Sequence, residues 1–246
     1  MAKQGEVEYL SRAGPQFVEH ARGKPYSDAQ CGAMLSDLGG VLMLLPSPPA
    51  RLLDLGCGSG WTSTLLARRG YEVVGQDIAP DMITLAESTA HEEATRPPRF
   101  VVSDYESLAF LEEFDAALFY DSLHHAVDPH AAMASAFRAL KPGGILVTLE
   151  PGAGHAASEA ARNAIAAFDV TERDMPPRLV GALGREIGFR EVVVYPMPKA
   201  LAQLQYQSRP PRGWPRALAP LHQWLAIGWL SLAVRGSHGG LVVLRK

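Results

Sequence analysis

Five short apolar runs, separated by longer mixed stretches, organise residues 50 to 150. They are Leu52-Leu53-Asp54-Leu55, Tyr71 to Asp77, Phe100 to Asp104, Phe114 to Tyr120 and Ile145 to Glu150. Runs of this length with few charges read as strands buried on both faces. A helical stretch follows the first run, from Trp61 to Arg69. Strands alternating with helices imply right-handed βαβ crossovers and a parallel sheet with helices on both faces. Ligands of such sheets bind at the carboxyl ends of the strands, near the switch in strand order. That rule gathers the glycine loop after Leu55, Asp77, Ser103-Asp104 and Asp121 to His125 on one rim.

Helix signals flank this region. Ser27 with Gln30 reads as an N-cap and its capping-box partner. It predicts a helix to about Leu45, stopped by Pro46, Pro48 and Pro49. Thr171 to Pro177 reads as a turn and helix start, since proline suits the first helical turn. About forty residues separate Pro196 from Gly239, more than a structureless loop usually spans in a compact domain. Part is proline-rich, Arg209 to Pro215. Part is helical in pattern, with Leu218, Leu221, Leu225, Trp229 and Leu232 on one face. The uncharged run from Trp224 to Val234 is far short of the ~20 residues that cross a bilayer. A lid or core packing is the first reading of this segment; a membrane-surface helix and a dimer contact are the alternatives.

The loop Gly56-Cys57-Gly58-Ser59-Gly60 joins strand to helix with glycines at alternate positions. Such a turn brings backbone N–H groups and a bare backbone surface up to a ligand. A dinucleotide fingerprint would place its last glycine at Trp61, and no Lys-Ser/Thr pair closes the loop as a P-loop requires. The loop therefore suits a cofactor without a pyrophosphate. Asp77, 17 residues past Gly60, is placed to accept hydrogen bonds from both hydroxyls of a ribose.

The motifs LDLGCGSG, VVGQDIAPDMI, SDYESL, FDAALFYDSLHH and LKPGGIL, in this order, resemble those of class I S-adenosylmethionine-dependent methyltransferases. The resemblance covers roughly residues 50 to 150, and Arg185 to Pro196 with Gly239 to Lys246 resemble the family's last two strands. It implies a Rossmann-like, seven-stranded, doubly wound α/β sheet, mostly parallel with the last strand antiparallel. It divides the chain into an N-terminal helical cap (1–49), a cofactor-binding core (50–198), an inserted basic segment (199–238) and a final core strand (239–246). The implied cofactor is S-adenosyl-L-methionine, with S-adenosyl-L-homocysteine as product. Asp54, Gly56, Cys57, Gly58 and Gly60 would form its loop and Asp77 would hold the ribose. Ile78 would pack on the adenine with Ser103, Asp104 and Tyr105 at its edge, and Asp121 would complete the site. Tyr9, His20 and Tyr26 in the cap are either pocket residues or helix-packing aromatics, the latter being the plainer reading.

Methyl transfer to an alcohol gains from a base that takes the hydroxyl proton. Imidazole titrates near neutrality, so His124 or His125 is the candidate base. Glu150, after the fifth strand, would orient it or the substrate. Sugar O-methyltransferases carry a similar His-His pair and carboxylate, which makes a hydroxyl of a sugar, glycan precursor or glycosylated metabolite the expected acceptor. N- or C-methylation of a natural product, lipid or quinone is the alternative, and a cofactor-binding module without turnover is a third reading. Asp121 and Asp128 could join the histidines around a divalent cation, but the spacing matches no specific site and no metal is assigned. His155 reads as a loop histidine.

Composition narrows the partners. The 246 residues are 47% hydrophobic, enough for one large α/β domain. Two cysteines, Cys31 and Cys57, and an N-terminal stretch without an apolar core point to a reduced, cytoplasmic setting. The net charge of −3 hides an asymmetry. From Val192 onward there are seven Lys and Arg and no Asp or Glu, so residues 1–191 carry −10. The acidic core, and YDSLHH in place of Asn/Asp-Pro-Pro-Tyr, argue against a nucleic-acid substrate. A small-molecule acceptor is expected. The basic segment, with three of the four tryptophans, leaves open peripheral contact with the inner membrane face, a lipid-linked substrate or a homodimer.

Overall fold

The computed structural model describes residues 3–93, 96–207, 218–233 and 239–246. In chain order the helices are α1 (Gln4–Val7), α2 (Tyr9–Ala13), α3 (Pro15–Arg22), α4 (Cys31–Leu44), α5 (Trp61–Arg69) and α6 (Pro80–Glu93). They continue with α7 (Pro129–Ala139), α8 (Glu159–Phe168), α9 (Pro177–Ile187), α10 (Pro198–Tyr206) and α11 (Ala219–Ala233). The strands are β1 (Arg51–Leu55), β2 (Glu72–Asp77), β3 (Arg99–Val102), β4 (Phe114–Tyr120), β5 (Leu140–Glu150), β6 (Glu191–Pro196) and β7 (Gly240–Arg245).

They form one seven-stranded sheet in the order β3-β2-β1-β4-β5-β7-β6. β1 pairs in parallel with β2 and β4, β2 with β3, and β4 with β5; β7 runs antiparallel to both β5 and β6. This is the expected doubly wound topology. Alternate residues of each central strand feed opposite cores. Leu53, Ala117, Phe119 and Leu146 pack under α7 and α9, with Met133, Ala136 and Val180. Leu52, Ala116, Leu118 and Val147 pack under α4 and α5, with Val41 and Leu66. Burial on both faces is why these strands read as near-continuous apolar runs.

Strand order reverses between β1 and β4, and the crevice above that point is roofed by the N-terminal helices. Leu10 and Ala21 pack on Leu85 of α6, with Phe17, Val18 and Met82 around them. Tyr9 stands edge-on to Phe17 and to Phe168 of α8, at 5.1 and 4.8 Å between ring centroids. On the far side, α10 docks on α4. Asp37, buried in α4, accepts the Lys199 backbone N–H at 2.7 Å.

Two boundaries differ from the sequence reading. α4 begins at Cys31, because the Ser27 hydroxyl donates to the His20 carbonyl and caps no helix, while Asp28 accepts the Gln30 N–H in a turn. β5 begins at Leu140, because the Lys-Pro-Gly-Gly turn is absorbed as an irregularity in its pairing with β4. The proline-rich Arg209 to Pro215 lies outside the described residues. In α11, Leu230 is buried while Leu221, Trp224, Leu225 and Leu232 are exposed.

Gly5 fixes the roof. A Cβ there would stand 2.1 Å from the Asp169 carbonyl oxygen, a clash that only backbone movement can relieve. In Gly5→Ala, amide exchange across residues 4–13 should rise about tenfold or more while the sheet keeps its protection. Unchanged exchange in that stretch would contradict the packing.

Candidate active site

Four strand tips converge at the switch point. After β1, Gly56, Gly58 and Gly60 all have positive φ, at 69°, 52° and 77°. At Gly56 the absent side chain also permits close approach, since a Cβ would stand 2.7 Å from Ser122 Cβ. The loop is stitched from behind. Asp77, at the tip of β2, accepts the Gly58 N–H at 2.9 Å through one oxygen and the Ala79 N–H at 2.9 Å through the other. Burial pushes the Asp77 carboxyl up, and these N–H donors pull against that shift. Asp54 is buried beneath the loop and accepts the Thr62 and Ser63 hydroxyls, both at 2.6 Å.

The tip of β4 is held by the tip of β5. One Glu150 oxygen accepts the N–H groups of Ser122 and Leu123, at 3.1 and 2.8 Å. The other takes the His124 N–H at 3.2 Å and the His124 ring Nδ1 at 2.8 Å. A carboxylate only accepts, so Nδ1 carries the proton. The opposite ring nitrogen, Nε2, stands 3.6 Å from Glu172, which also holds His155 at 2.7 Å. Burial alone would lower the His124 pKa. The Glu150 hydrogen bond and charge, helped by Asp121 and Glu172, outweigh it and raise the value to about 9. His124 is therefore an imidazolium at neutral pH. His125 differs. Its Nδ1 lies 2.8 Å from the Thr171 carbonyl, which can only accept, so Nδ1 is the donor and Nε2 is the nitrogen that carries the lone pair in the neutral ring. Asp121 precedes the pair at the tip of β4, 3.9 Å from His124 Nδ1, with φ of 54°, a left-handed conformation that Asp tolerates.

These groups surround a cavity of about 450 Å³ that includes Tyr9, Phe17, Gly58, Trp61, Tyr120, His124, His125, His155 and Glu172 in its wall. A second cavity of about 180 Å³ shares Gly56, Gly58, Asp121 and His125 with it and adds Asp77, Ile78 and Tyr105.

Comparison with known proteins agrees with this geometry. Residues 53–148 match the family described as methyltransferase domain. Residues 53–148 thus form a methyltransferase domain. One relative is a ubiquinone biosynthesis O-methyltransferase of Cereibacter sphaeroides, 38% identical over 109 residues, which are 42% of each chain. The chain thus matches under half the length of such curated relatives. Among solved structures, phosphoethanolamine N-methyltransferase 2 of Haemonchus contortus in complex with S-adenosyl-L-methionine aligns with a TM-score of 0.62 at 18% identity. That alignment covers 99% of this chain and 58% of the other. The [4+2]-cyclase SpnF aligns with a TM-score of 0.55 at 24% identity, covering 88% and 81%. At these identities the structures speak for the fold.

The methyltransferase domain brings most of the expected residues to the two cavities. Gly56, Cys57, Gly58, Asp77, Ile78, Tyr105, Asp121, His124 and His125 line them. Asp54, Gly60, Ser103, Asp104 and Glu150 do not. Asp54 and Glu150 brace the walls from behind, Gly60 packs against Phe100 and Ala86, and Asp104 caps the short turn at Tyr105–Ser107. The Ser103 hydroxyl is buried without a partner. Of Tyr9, His20 and Tyr26, the first lines the cavity. His20 lies beside Asp28, and Tyr26 is exposed. His155, read as a loop histidine, is a wall residue stacked edge-on to His124 at 4.9 Å. Glu6 and Glu172 carried no motif; only the fold brings them to His125 and His124. Two groups, His124 with His125 and Glu172, and Asp121 with His124 and Glu150, have ligand atoms within 4.8 Å of each other. Glu150 already accepts four N–H groups, which leaves it poorly suited to a cation.

The His124 pair makes stability depend on pH. Its folded value stands above the ordinary imidazole value of 6.5. The stabilisation is therefore complete below about pH 6.5 and is lost as pH rises through about 9. Urea unfolding of the wild type should show a decline on the order of 3 kcal/mol over that window relative to His124→Gln. Parallel curves for the two proteins would contradict a charged His124.

Proposed function

We propose that this chain is an S-adenosylmethionine-dependent O-methyltransferase whose acceptor is a hydroxyl on a small aromatic ring of the quinone-precursor kind. The observation that carries it is the histidine pair at the cavity wall: His124 clamped by Glu150 beside His125, whose Nδ1 is tied to the Thr171 carbonyl. The cofactor suits the residues present. Gly58 leaves open space where a side chain would stand, and Asp77 offers remaining lone pairs for a diol. In this reading residues 1–49 act as the cap, 50–198 with 239–246 as the core, and 199–238 as an inserted segment.

When bound, S-adenosylmethionine supplies an electrophilic methyl group on a sulfonium that leaves as a neutral thioether. The protein then has to align the acceptor oxygen and take its proton. His125 Nε2 is the base. His124, held charged by Glu150, favours the phenolate, because a nearby cation lowers the pKa of a hydroxyl. Glu150 is a positioning residue, not in contact with the acceptor. Tyr9, Phe17, Trp61 and Tyr120 give the cavity aromatic walls that suit a flat ring better than a sugar. The relative named for ubiquinone biosynthesis supports the same choice and moves the acceptor away from the sugar expected from the histidine motif.

Turnover should be assayed with catechols and hydroquinones beside sugar nucleotides and glycosides. A dihydroxylated aromatic is expected to be methylated, and His125→Ala should lose about 10²–10⁴-fold in kcat with S-adenosylhomocysteine affinity retained. An unchanged kcat would remove the base, as an amine acceptor would.

A further inference from the structure

α11 is inside out. Leu230 is buried and, with Ala226, faces α10, yet Leu221, Trp224, Leu225 and Leu232 stand 49%, 73%, 60% and 81% exposed on the other side. Large apolar side chains in a contiguous exposed stripe are uncommon on a soluble surface and mark a contact. The helix carries no charged residue from Ala219 to Ala233. Arg209, Arg212 and Arg216 precede it in the sequence and Arg235 follows, and no acid occurs beyond Glu191. At ~1.5 Å per residue it is about 22 Å long, too short for the ~30 Å of a bilayer core. No helix among the described residues is long and apolar enough to cross a membrane.

We propose that the exposed face of α11 docks the protein onto the surface of an anionic phospholipid bilayer, with the helix lying in the headgroup layer. Leucines enter the acyl boundary, tryptophan sits at the headgroup level, and the flanking arginines meet the lipid charge. A second copy of the chain fits less well. The helix and the residues that flank it in sequence carry arginine and no acid, so a second copy of this segment offers it no opposite charge. The position also serves the site. Lys199, at the start of α10, lines a pocket with Tyr120 and Asp121, which border the main cavity as well. Its neighbour Ala200 lines the apolar groove of about 450 Å³ between α10 and α11. A membrane-dissolved acceptor would thus be delivered beside the catalytic cavity; that last step rests on the quinone-precursor reading, whereas the docking does not.

The test is co-sedimentation of the full chain with vesicles of phosphatidylcholine alone and of phosphatidylcholine with about one third phosphatidylglycerol. The wild type should bind the anionic vesicles at least tenfold more tightly than the neutral ones, with a blue shift in tryptophan emission. Leu225→Glu/Leu232→Glu, at exposed positions, should bind at least tenfold more weakly while its S-adenosylhomocysteine affinity and circular dichroism match the wild type. No binding to the anionic vesicles, or equal binding by the variant, would overturn the proposal. So would a wild-type dimer in light scattering that the same variant makes monomeric. Methyl transfer to a water-soluble catechol, measured in parallel without vesicles, reports on the proposed reaction separately.

Discussion

The carboxylate of Glu150 is the group on which the catalytic side of this protein depends. A buried charge is costly unless it is fully partnered. Glu150 meets that condition by collecting three consecutive backbone N–H groups from the loop after β4 and the ring N–H of His124. The loop is therefore bent around the side chain, and this bend delivers His125 to the cavity. Asp77 does the corresponding work on the cofactor side, joining the glycine loop to the start of α6. Each carboxylate shapes a neighbouring loop while the parallel strands fix where it stands.

Much of this was legible from residue order because it is local. Strand tips, glycine loop and the acid at Asp77 follow from apolar runs and from where they end. The different surroundings of the two histidines were not legible. They turn on Thr171 and Glu172, which are far along the chain, sit in an irregular stretch and belong to no motif. The same applies to Glu6, brought over the site by a helix packed through Gly5. Ser27 misled because its hydroxyl found a carbonyl in the preceding helix, a partner that local capping rules do not include.

The fold alone leaves the reaction open, since a [4+2]-cyclase shares it. What favours methyl transfer is the match of the methyltransferase domain over residues 53–148, with Asp77 and His125 in the wall of one cavity. The outward-facing α11 belongs to the same picture. A cavity with aromatic walls suits a flat, largely apolar acceptor.

The central claim is that the glycine loop and Asp77 form an S-adenosylmethionine site. Calorimetric titration of S-adenosylmethionine and S-adenosylhomocysteine into the wild type and Asp77→Ala tests it most directly. The account predicts one site per chain for both ligands, weakened about tenfold or more in the variant, near the 1.4 kcal/mol of a single lost charged hydrogen-bond partner. Wild-type protein that binds neither ligand, or a variant that binds as tightly as the wild type, would contradict it.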